Sequence, residues 1–400
     1  MRDGTLVLRN AVLIDGEGVA SGQAVRIRGD RIEEILPDQD FSGAANVIDL
    51  ENRYLSSGFI DLQLNGCGGV LFNDAIAAET LEIMHRTNLG SGTAGFLPTL
   101  ITTSEENMQR ALDLVGERLR SGPNGVLGVH LEGPYISLER KGIHDPGFIR
   151  KPSKEMVERI AAAAVRFPVM LTLAPECNEP DTVRALAEAG VRVSCGHTNA
   201  HYSEAIAGFE AGIRVATHLF NAMSPLMGRD PGAVGAILDR DDVAAGIIVD
   251  GFHVHYASIR LAKALKKQGL FLVTDAVTPT GTSMSEFQFA GKTVFVRDGR
   301  CTSADGTLGG ALLTMIEAVA NAVRHVGIPL LEAIRMATLY PARVIGREQE
   351  LGRIKEGYLA DLTIFDDDFV VQGVVQRGEW RPCGFAAGNG RAGAAQKVNS

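Results

Sequence analysis

The stretch Val126-Leu-Gly-Val-His-Leu-Glu-Gly-Pro134 shows the pattern that decides the fold: a short apolar run ends in a chemically reactive side chain, Glu132. Three other stretches repeat this pattern and supply His197, His218 and Asp275. They are Gly196-His-Thr-Asn-Ala200, Thr217-His-Leu-Phe-Asn-Ala-Met223 and Thr274-Asp-Ala276. Short apolar runs bounded in this way are typical of buried parallel strands. The four reactive residues are therefore expected at the ends of strands in one sheet.

Between residues 56 and 340, eight such apolar runs alternate with Ala- and Glu-rich stretches of helical character, the pattern of βα units. Eight units of this kind predict a (β/α)8 TIM-like barrel. The predicted strands are Gly58–Leu64, Gly95–Leu100, Val126–Leu131, Val169–Leu173, Val191–Cys195, Ile213–Ala216, Val243–Val249 and Leu270–Thr274.

The two ends of the chain follow a different pattern, in which apolar and polar residues alternate between Gly and Asp turns. Thr5–Ile14, Gln23–Ile35, Ala360–Phe365 and Phe369–Gln376 are therefore predicted strands. Residues 1–55 together with 341–382 are expected to form one small β-sandwich domain beside the barrel. Residues 383–400 are rich in Gly, Ala and polar residues and predict a disordered tail.

Composition excludes several classes of function. A net charge of −9, with no basic patch in the 400 residues, argues against a nucleic-acid partner. No apolar stretch approaches the roughly 18 residues of a membrane span, and no signal peptide is recognisable, so a cytoplasmic location is expected. The five cysteines include no C-x-x-C pair and are expected to be free thiols rather than disulfide partners or zinc ligands.

Because the carboxyl ends of barrel strands meet at one mouth, Glu132, His197, His218 and Asp275 are expected to converge there. Two imidazoles and a carboxylate form a suitable ligand set for a catalytic metal that keeps one position open for water. Asp275 is then the spare carboxylate that accepts and returns a proton. One divalent metal ion per subunit is predicted. Zinc is expected first, and iron, cobalt and manganese remain alternatives.

The other histidines receive a structural interpretation. His85, His201 and His325 lie on predicted helices, while His130 shares a strand face with Glu132 and is either an interior histidine or a support for the site. The first strand ends in Gln63 and Asn65, where many metal-dependent hydrolases on this barrel carry His-x-His for a second metal. Amide oxygens are poorer ligands for zinc-class ions, so a single metal is expected, with Gln63 hydrogen-bonded to water or substrate.

Several long strings make a resemblance specific. They include Gly58-Phe-Ile-Asp-Leu-Gln-Leu-Asn-Gly-Cys-Gly-Gly69, His218-Leu-Phe-Asn-Ala-Met223 and Met336-Ala-Thr-Leu-Tyr-Pro-Ala342. Over residues 6–377 the chain resembles the N-acetylglucosamine-6-phosphate deacetylases of the amidohydrolase superfamily. The resemblance implies the same metal ligands and the same catalytic aspartate. The implied reaction is deacetylation of N-acetylglucosamine 6-phosphate to glucosamine 6-phosphate and acetate, in amino-sugar catabolism or recycling.

The resemblance also implies contacts to an amino-sugar phosphate. These are Ile143, His144, Asn221, Ala222, Arg229, His253, Leu308, Gly309 and Gly310. In the family the segment around Gly309 reads Leu-Ser-Gly, so Gly309 departs from it and retains only a backbone contact. Arg229 is implied to reach the site of a neighbouring subunit, which makes the expected assembly a homodimer.

Two alternatives remain open at this point. One is another amidohydrolase acting on a different N-acyl or cyclic amide, such as a dihydroorotase-like enzyme, although Gln63 and Asn65 count against it. The other is a barrel that has lost catalysis and serves as a scaffold. No G-x-S-x-G, P-loop or G-x-G-x-x-G pattern occurs, so neither a serine nucleophile nor a nucleotide cofactor is indicated.

Overall fold

The computed structural model describes residues 5–41, 46–122 and 124–383 and contains the predicted barrel. Eight parallel strands follow one another in hydrogen-bonded order from the last to the first. Their bounds are Phe59–Leu64, Thr93–Ile101, Val129–Glu132, Val169–Leu173, Arg192–Cys195, Val215–Ala216, Ala244–Ile247 and Leu270–Leu272. Every residue of strands one to four is buried, as expected for parallel strands covered on both faces.

Helices connect the strands and cover the outside of the barrel. Two of them follow a serine whose hydroxyl accepts from a backbone N–H of the first turn, Ser104 from Asn107 and Ser153 from Met156. The helices are Ala78–Leu89, Glu105–Arg118, Lys154–Ala164, Pro180–Glu188, Tyr202–Glu210, Gly232–Asp239, Tyr256–Lys266, Met315–Asn321, Leu330–Ala337 and Leu339–Val344.

Strands from both chain ends form one mixed sheet of eight strands, so the prediction of a β-domain built from both termini is confirmed together with the barrel. One face packs its own apolar core, which includes Leu8, Ile27 and Ile364, while Phe365 and Val374 join the barrel core. The strands are Thr5–Ile14, Val19–Arg28, Arg31–Pro37, Val47–Asp49, Tyr54–Ser57, Leu362–Phe365, Val371–Gln376 and Glu379–Pro382. The domain boundaries near residues 55 and 341 stay a prediction.

A three-stranded antiparallel sheet that the sequence interpretation omitted follows the eighth barrel strand. It comprises Glu286–Phe289, Lys292–Arg297 and Arg300–Ser303. Both hairpins turn on two residues with positive φ, first Ala290 and Gly291 and then Asp298 and Gly299. The sheet packs Phe289 against Ile143 and Ile101, which places it over the barrel mouth.

Two sequence predictions remain untested. Apart from Cys383, the tail predicted to be disordered lies outside the described residues. Among the described residues, no helix is long and apolar enough to cross a membrane. The expectation of a cytoplasmic location stays a prediction.

Candidate active site

The four predicted residues meet in a cavity of about 430 Å³ at the carboxyl ends of the barrel strands. Glu132 ends strand three, and His197, His218 and Asp275 lie in the segments just after strands five, six and eight. All four side chains line this cavity. Residues separated by more than 140 positions in sequence thus share one small site, as the barrel geometry predicted.

Three donor atoms form a tight triangle. Glu132 Oε1 lies 3.1 Å from His197 Nε2 and 3.0 Å from His218 Nε2, and the two nitrogens are 3.0 Å apart. Ligands held at 2.0–2.1 Å by a tetrahedral zinc ion lie roughly 3.3 Å from one another. The triangle therefore has nearly the dimensions of a metal site.

The hydrogen bond of His197 to the backbone also supports a metal site. Its Nδ1 lies 2.9 Å from the Arg140 carbonyl oxygen and must donate to it, so in the neutral ring Nε2 presents a lone pair to the triangle. If His218 Nε2 carries a proton, it can donate to only one of the other two atoms at a time. A cation at the centre of the triangle would attract all three atoms. Although burial alone would raise it, the contacts with the His197 and His218 imidazoles hold the pKa of Glu132 well below its usual value. The residues present fit a divalent metal ion.

His144 lies at the margin of this triangle. Its ligand atom and those of Glu132 and His197 lie within 4.8 Å of one another, a looser grouping than the 3.0–3.1 Å triangle. The His144 Nδ1 is 2.7 Å from the Thr102 hydroxyl, and its ring packs 4.3 Å from that of His197. Burial lowers the pKa of His144 well below its usual value, so the imidazole is neutral. The geometry favours Glu132, His197 and His218 as the metal ligands, with His144 beside them.

Asp275 is held by the two amides of strand one. Its Oδ1 accepts from Asn65 Nδ2 at 2.7 Å and from Gln63 Nε2 at 3.1 Å. Gln63 Nε2 also donates to Glu132 Oε1 at 3.1 Å and so connects the two carboxylates. Burial, and then the nearby charge of Glu132, raise the pKa of Asp275 to about 6. That value suits a group that must both accept and return a proton near neutral pH.

Comparison with known proteins identifies the family of the chain. The sequence profile of the Amidohydrolase family matches residues 54–381, which cover the barrel and the C-terminal strands of the small sheet. The chain belongs to the amidohydrolase family. It is accordingly a metal-dependent hydrolase, and the idea of a non-catalytic scaffold has no support.

Within this family the chain is similar to named deacetylases. It is 45% identical over 377 residues to the N-acetylglucosamine-6-phosphate deacetylase of Haemophilus influenzae, which covers 94% of this chain and 98% of that protein. It is 40% identical over 335 residues to the N-acetylgalactosamine-6-phosphate deacetylase of Shewanella sp., with 82% and 84% covered. The crystal structure of N-acetylglucosamine-6-phosphate deacetylase from Pasteurella multocida has a TM-score of 0.92 and 47% identity, covering 94% of this chain and 100% of that one.

Most of the substrate contacts implied by the resemblance line the cavity of this amidohydrolase. They are Ile143, His144, Asn221, Ala222, His253, Leu308 and Gly310. His253 is oriented by a 2.6 Å hydrogen bond from its Nδ1 to Asp250 Oδ2, so its Nε2 is free to contact a ligand.

Three of the predicted substrate contacts do not line the cavity. Gln63 lies beneath it, bonded to Glu132 and Asp275. The Gly309 N–H already donates to the Cys301 carbonyl at 3.0 Å, and Arg229 is exposed on the loop after strand six. Within one copy of the chain, these three residues therefore do not border the space in which a substrate would bind.

Sequence reasoning missed several residues that line the cavity, among them Ile101, Arg140, Phe289 and Thr307. Phe289 comes from the omitted sheet, and the alternating Glu286-Phe-Gln-Phe289 before Ala-Gly was a recognisable hairpin signal. No local signal marks Arg140. Its position depends on the fold of the loop after strand three, which brings its carbonyl to His197 and its guanidinium to Asn199.

Proposed function

We propose that the chain removes the acetyl group of N-acetylglucosamine 6-phosphate and releases glucosamine 6-phosphate and acetate. The observation that carries this proposal is the triangle of Glu132, His197 and His218 beside Asp275 in one cavity. The deacetylases of Haemophilus influenzae and Pasteurella multocida, which the chain matches over almost their whole length, support the substrate class.

Glu132, His197 and His218 would hold one divalent metal ion, with zinc proposed first and iron, cobalt or manganese as alternatives. Such an ion, when bound, lowers the pKa of a coordinated water and polarises the acetamide carbonyl. Gln63 and Asn65 leave no second pair of imidazoles at strand one, so one ion per subunit is proposed.

Asp275 moves the proton in this proposal. The two amide donors bind its Oδ1, which leaves Oδ2 to take a proton from the attacking water and return it to the departing amine. His144 borders the cavity beside His197 and is proposed to contact the acetamide carbonyl oxygen.

The phosphate is proposed to bind on the side of the cavity lined by Asn221, Ala222 and His253. Arg229 is exposed and does not reach the cavity of its own chain, and its loop neighbours Leu226 and Met227 are 57% and 60% exposed. A second copy that covers this apolar loop would bring Arg229 to its neighbour's phosphate, where a guanidinium binds bidentately. We therefore propose a homodimer with shared sites.

The test is acetate release from N-acetylglucosamine 6-phosphate, run beside the unphosphorylated sugar, with metal counted per chain. The phosphate should raise kcat/KM at least about 100-fold, because two charge-assisted hydrogen bonds are worth about 1.5–3 kcal/mol each. Equal rates on both sugars would contradict the phosphate pocket, and no acetate from either would contradict the proposed reaction. The 40% identical Shewanella relative makes N-acetylgalactosamine 6-phosphate the necessary comparison substrate. If N-acetylgalactosamine 6-phosphate is turned over faster than N-acetylglucosamine 6-phosphate, the galactosamine derivative is the substrate.

A further inference from the structure

Asp61 is a fully buried carboxylate on strand one that the proposed chemistry does not use. It lies two residues before Gln63 on the same strand. Its hydrogen-bond partners lie on strand one itself and in the segment that follows strand eight. Asp61 Oδ2 accepts from the Thr274 hydroxyl, and Oδ1 accepts from the Thr274 N–H at 3.3 Å and the Gln63 N–H at 3.1 Å.

These hydrogen bonds connect strand one with the segment after strand eight, where the first and last strands meet and close the barrel. Among the described residues, strand eight (Leu270–Leu272) and strand one (Phe59–Leu64) form no regular ladder with each other. Contacts just beyond strand eight close the barrel instead, with Asp275 N–H donating to the Gln63 carbonyl at 2.9 Å and Asn65 N–H to the Ala276 carbonyl at 3.0 Å. Asp61 fixes Thr274 immediately beneath those contacts.

Asp275 needs such support because its backbone has φ of +51°, in the left-handed region. A non-glycine residue in this conformation is strained and persists only where its surroundings fix it. The residue before it is fixed by Asp61, while the Ala311 N–H donates to its carbonyl at 2.9 Å. The direction of the Asp275 carboxylate therefore depends on Thr274 remaining in place.

We propose that Asp61 is a positioning residue that acts through the Thr274 hydroxyl to aim Asp275 at the reacting atoms. The proposal rests on the function assigned to Asp275 above. It concerns alignment and predicts an effect on turnover with little effect on binding of metal or substrate.

The experiment compares Thr274→Val and Thr274→Ala, which lack the hydroxyl, with Thr274→Ser, which keeps it. Both hydroxyl-free variants should lose about 10- to 100-fold in kcat, the cost of a misplacement of about 1 Å, with KM and metal per chain unchanged. Thr274→Ser should stay within about threefold of the unmodified chain. Unchanged kcat in the folded hydroxyl-free variants, or a loss confined to KM or metal content, would overturn the proposal.

Two further measurements separate this proposal from the proposed function. In an Asp275→Asn background, Thr274→Val should have no additional effect on the residual rate, because its effect passes through Asp275. A full additional loss there would overturn the positioning role. A crystal structure of Thr274→Val should show the Asp275 carboxylate displaced from Gln63 and Asn65, and an unmoved carboxylate would refute the proposal even if the substrate assignment failed.

Discussion

Replacing Asp275 by Asn removes the proposed proton acceptor while changing little else. The amide has nearly the same shape, and its oxygen can still accept from Gln63 and Asn65, which lie 3.1 and 2.7 Å from Oδ1 in the native chain. The left-handed backbone also tolerates Asn better than most residues. The substitution should therefore leave the fold and the metal ligands intact.

The expected loss is large because Asp275 is proposed to serve both as base and as acid. A single positioned proton donor or acceptor contributes about 10²- to 10⁴-fold to the rate. We expect kcat to fall about 10³- to 10⁴-fold, which is about 4–5.5 kcal/mol at 1.36 kcal/mol per decade. Metal per chain and KM should stay close to those of the unmodified chain.

The assay is acetate release at saturating substrate together with metal analysis of the same preparation. Asp298→Asn is the matched control, because it makes the same change at an exposed residue whose φ is also +50°. Asp298→Asn should retain full activity. A kcat for Asp275→Asn within tenfold of the control, or loss of the metal, would refute the assigned role.

Three other predictions follow from the same contacts. Glu132→Gln should weaken metal binding by more than the roughly 10- to 100-fold that loss of an outer-shell partner costs, and full metal content after dialysis would contradict its role as a ligand. Arg229→Gln should raise KM for the phosphorylated sugar about 10- to 100-fold and leave the rate on the unphosphorylated sugar unchanged, and an equal effect on both sugars would exclude a phosphate contact. Burial, and then Arg381, lower the pKa of His85 to about 4, while Gln376 Nε2 donates to the neutral ring at 2.6 Å. Between about pH 6.5 and 4 the unfolded chain binds a proton at His85 that the folded chain does not. The free energy of unfolding should therefore decrease by up to about 3 kcal/mol as the pH is lowered through this range. His85→Gln should flatten this slope in denaturant titrations, and an unchanged slope would contradict it.

The sequence was sufficient to predict the barrel because fully buried parallel strands read as apolar runs, as Val169–Leu173 does with the same bounds in the structure. It was also sufficient to bring Glu132, His197, His218 and Asp275 together, because topology alone places the ends of parallel strands at one mouth. The strand positions follow from the local sequence pattern, and the convergence of the four residues follows from the fold class.

The remaining features depend on contacts that no local pattern encodes. The Asp61–Thr274 pair joins residues 213 positions apart, and nothing near either residue marks the other. Gln63 was expected to contact water or substrate, yet the structure shows its amide donating to two carboxylates at once. The sheet over the mouth was omitted for a different reason. Its strands are short and partly exposed, so they lack the continuous apolar runs that mark the barrel strands.

Backbone strain gives an independent reason to treat the mouth as functional. His197, His218 and Asp275 all have positive φ, of 47°, 32° and 51°. Each such conformation costs about 1–3 kcal/mol for a non-glycine residue, so the three together oppose folding. Stability alone would favour glycine or a relaxed turn at these strand ends. The hydrogen bonds that hold these segments, such as Ser137 N–H to the His197 carbonyl at 2.9 Å, offset the strain without removing it. These three strained residues are also the ones proposed to bind the metal or to transfer the proton. Their convergence is therefore explained by the geometry of the site and not by packing.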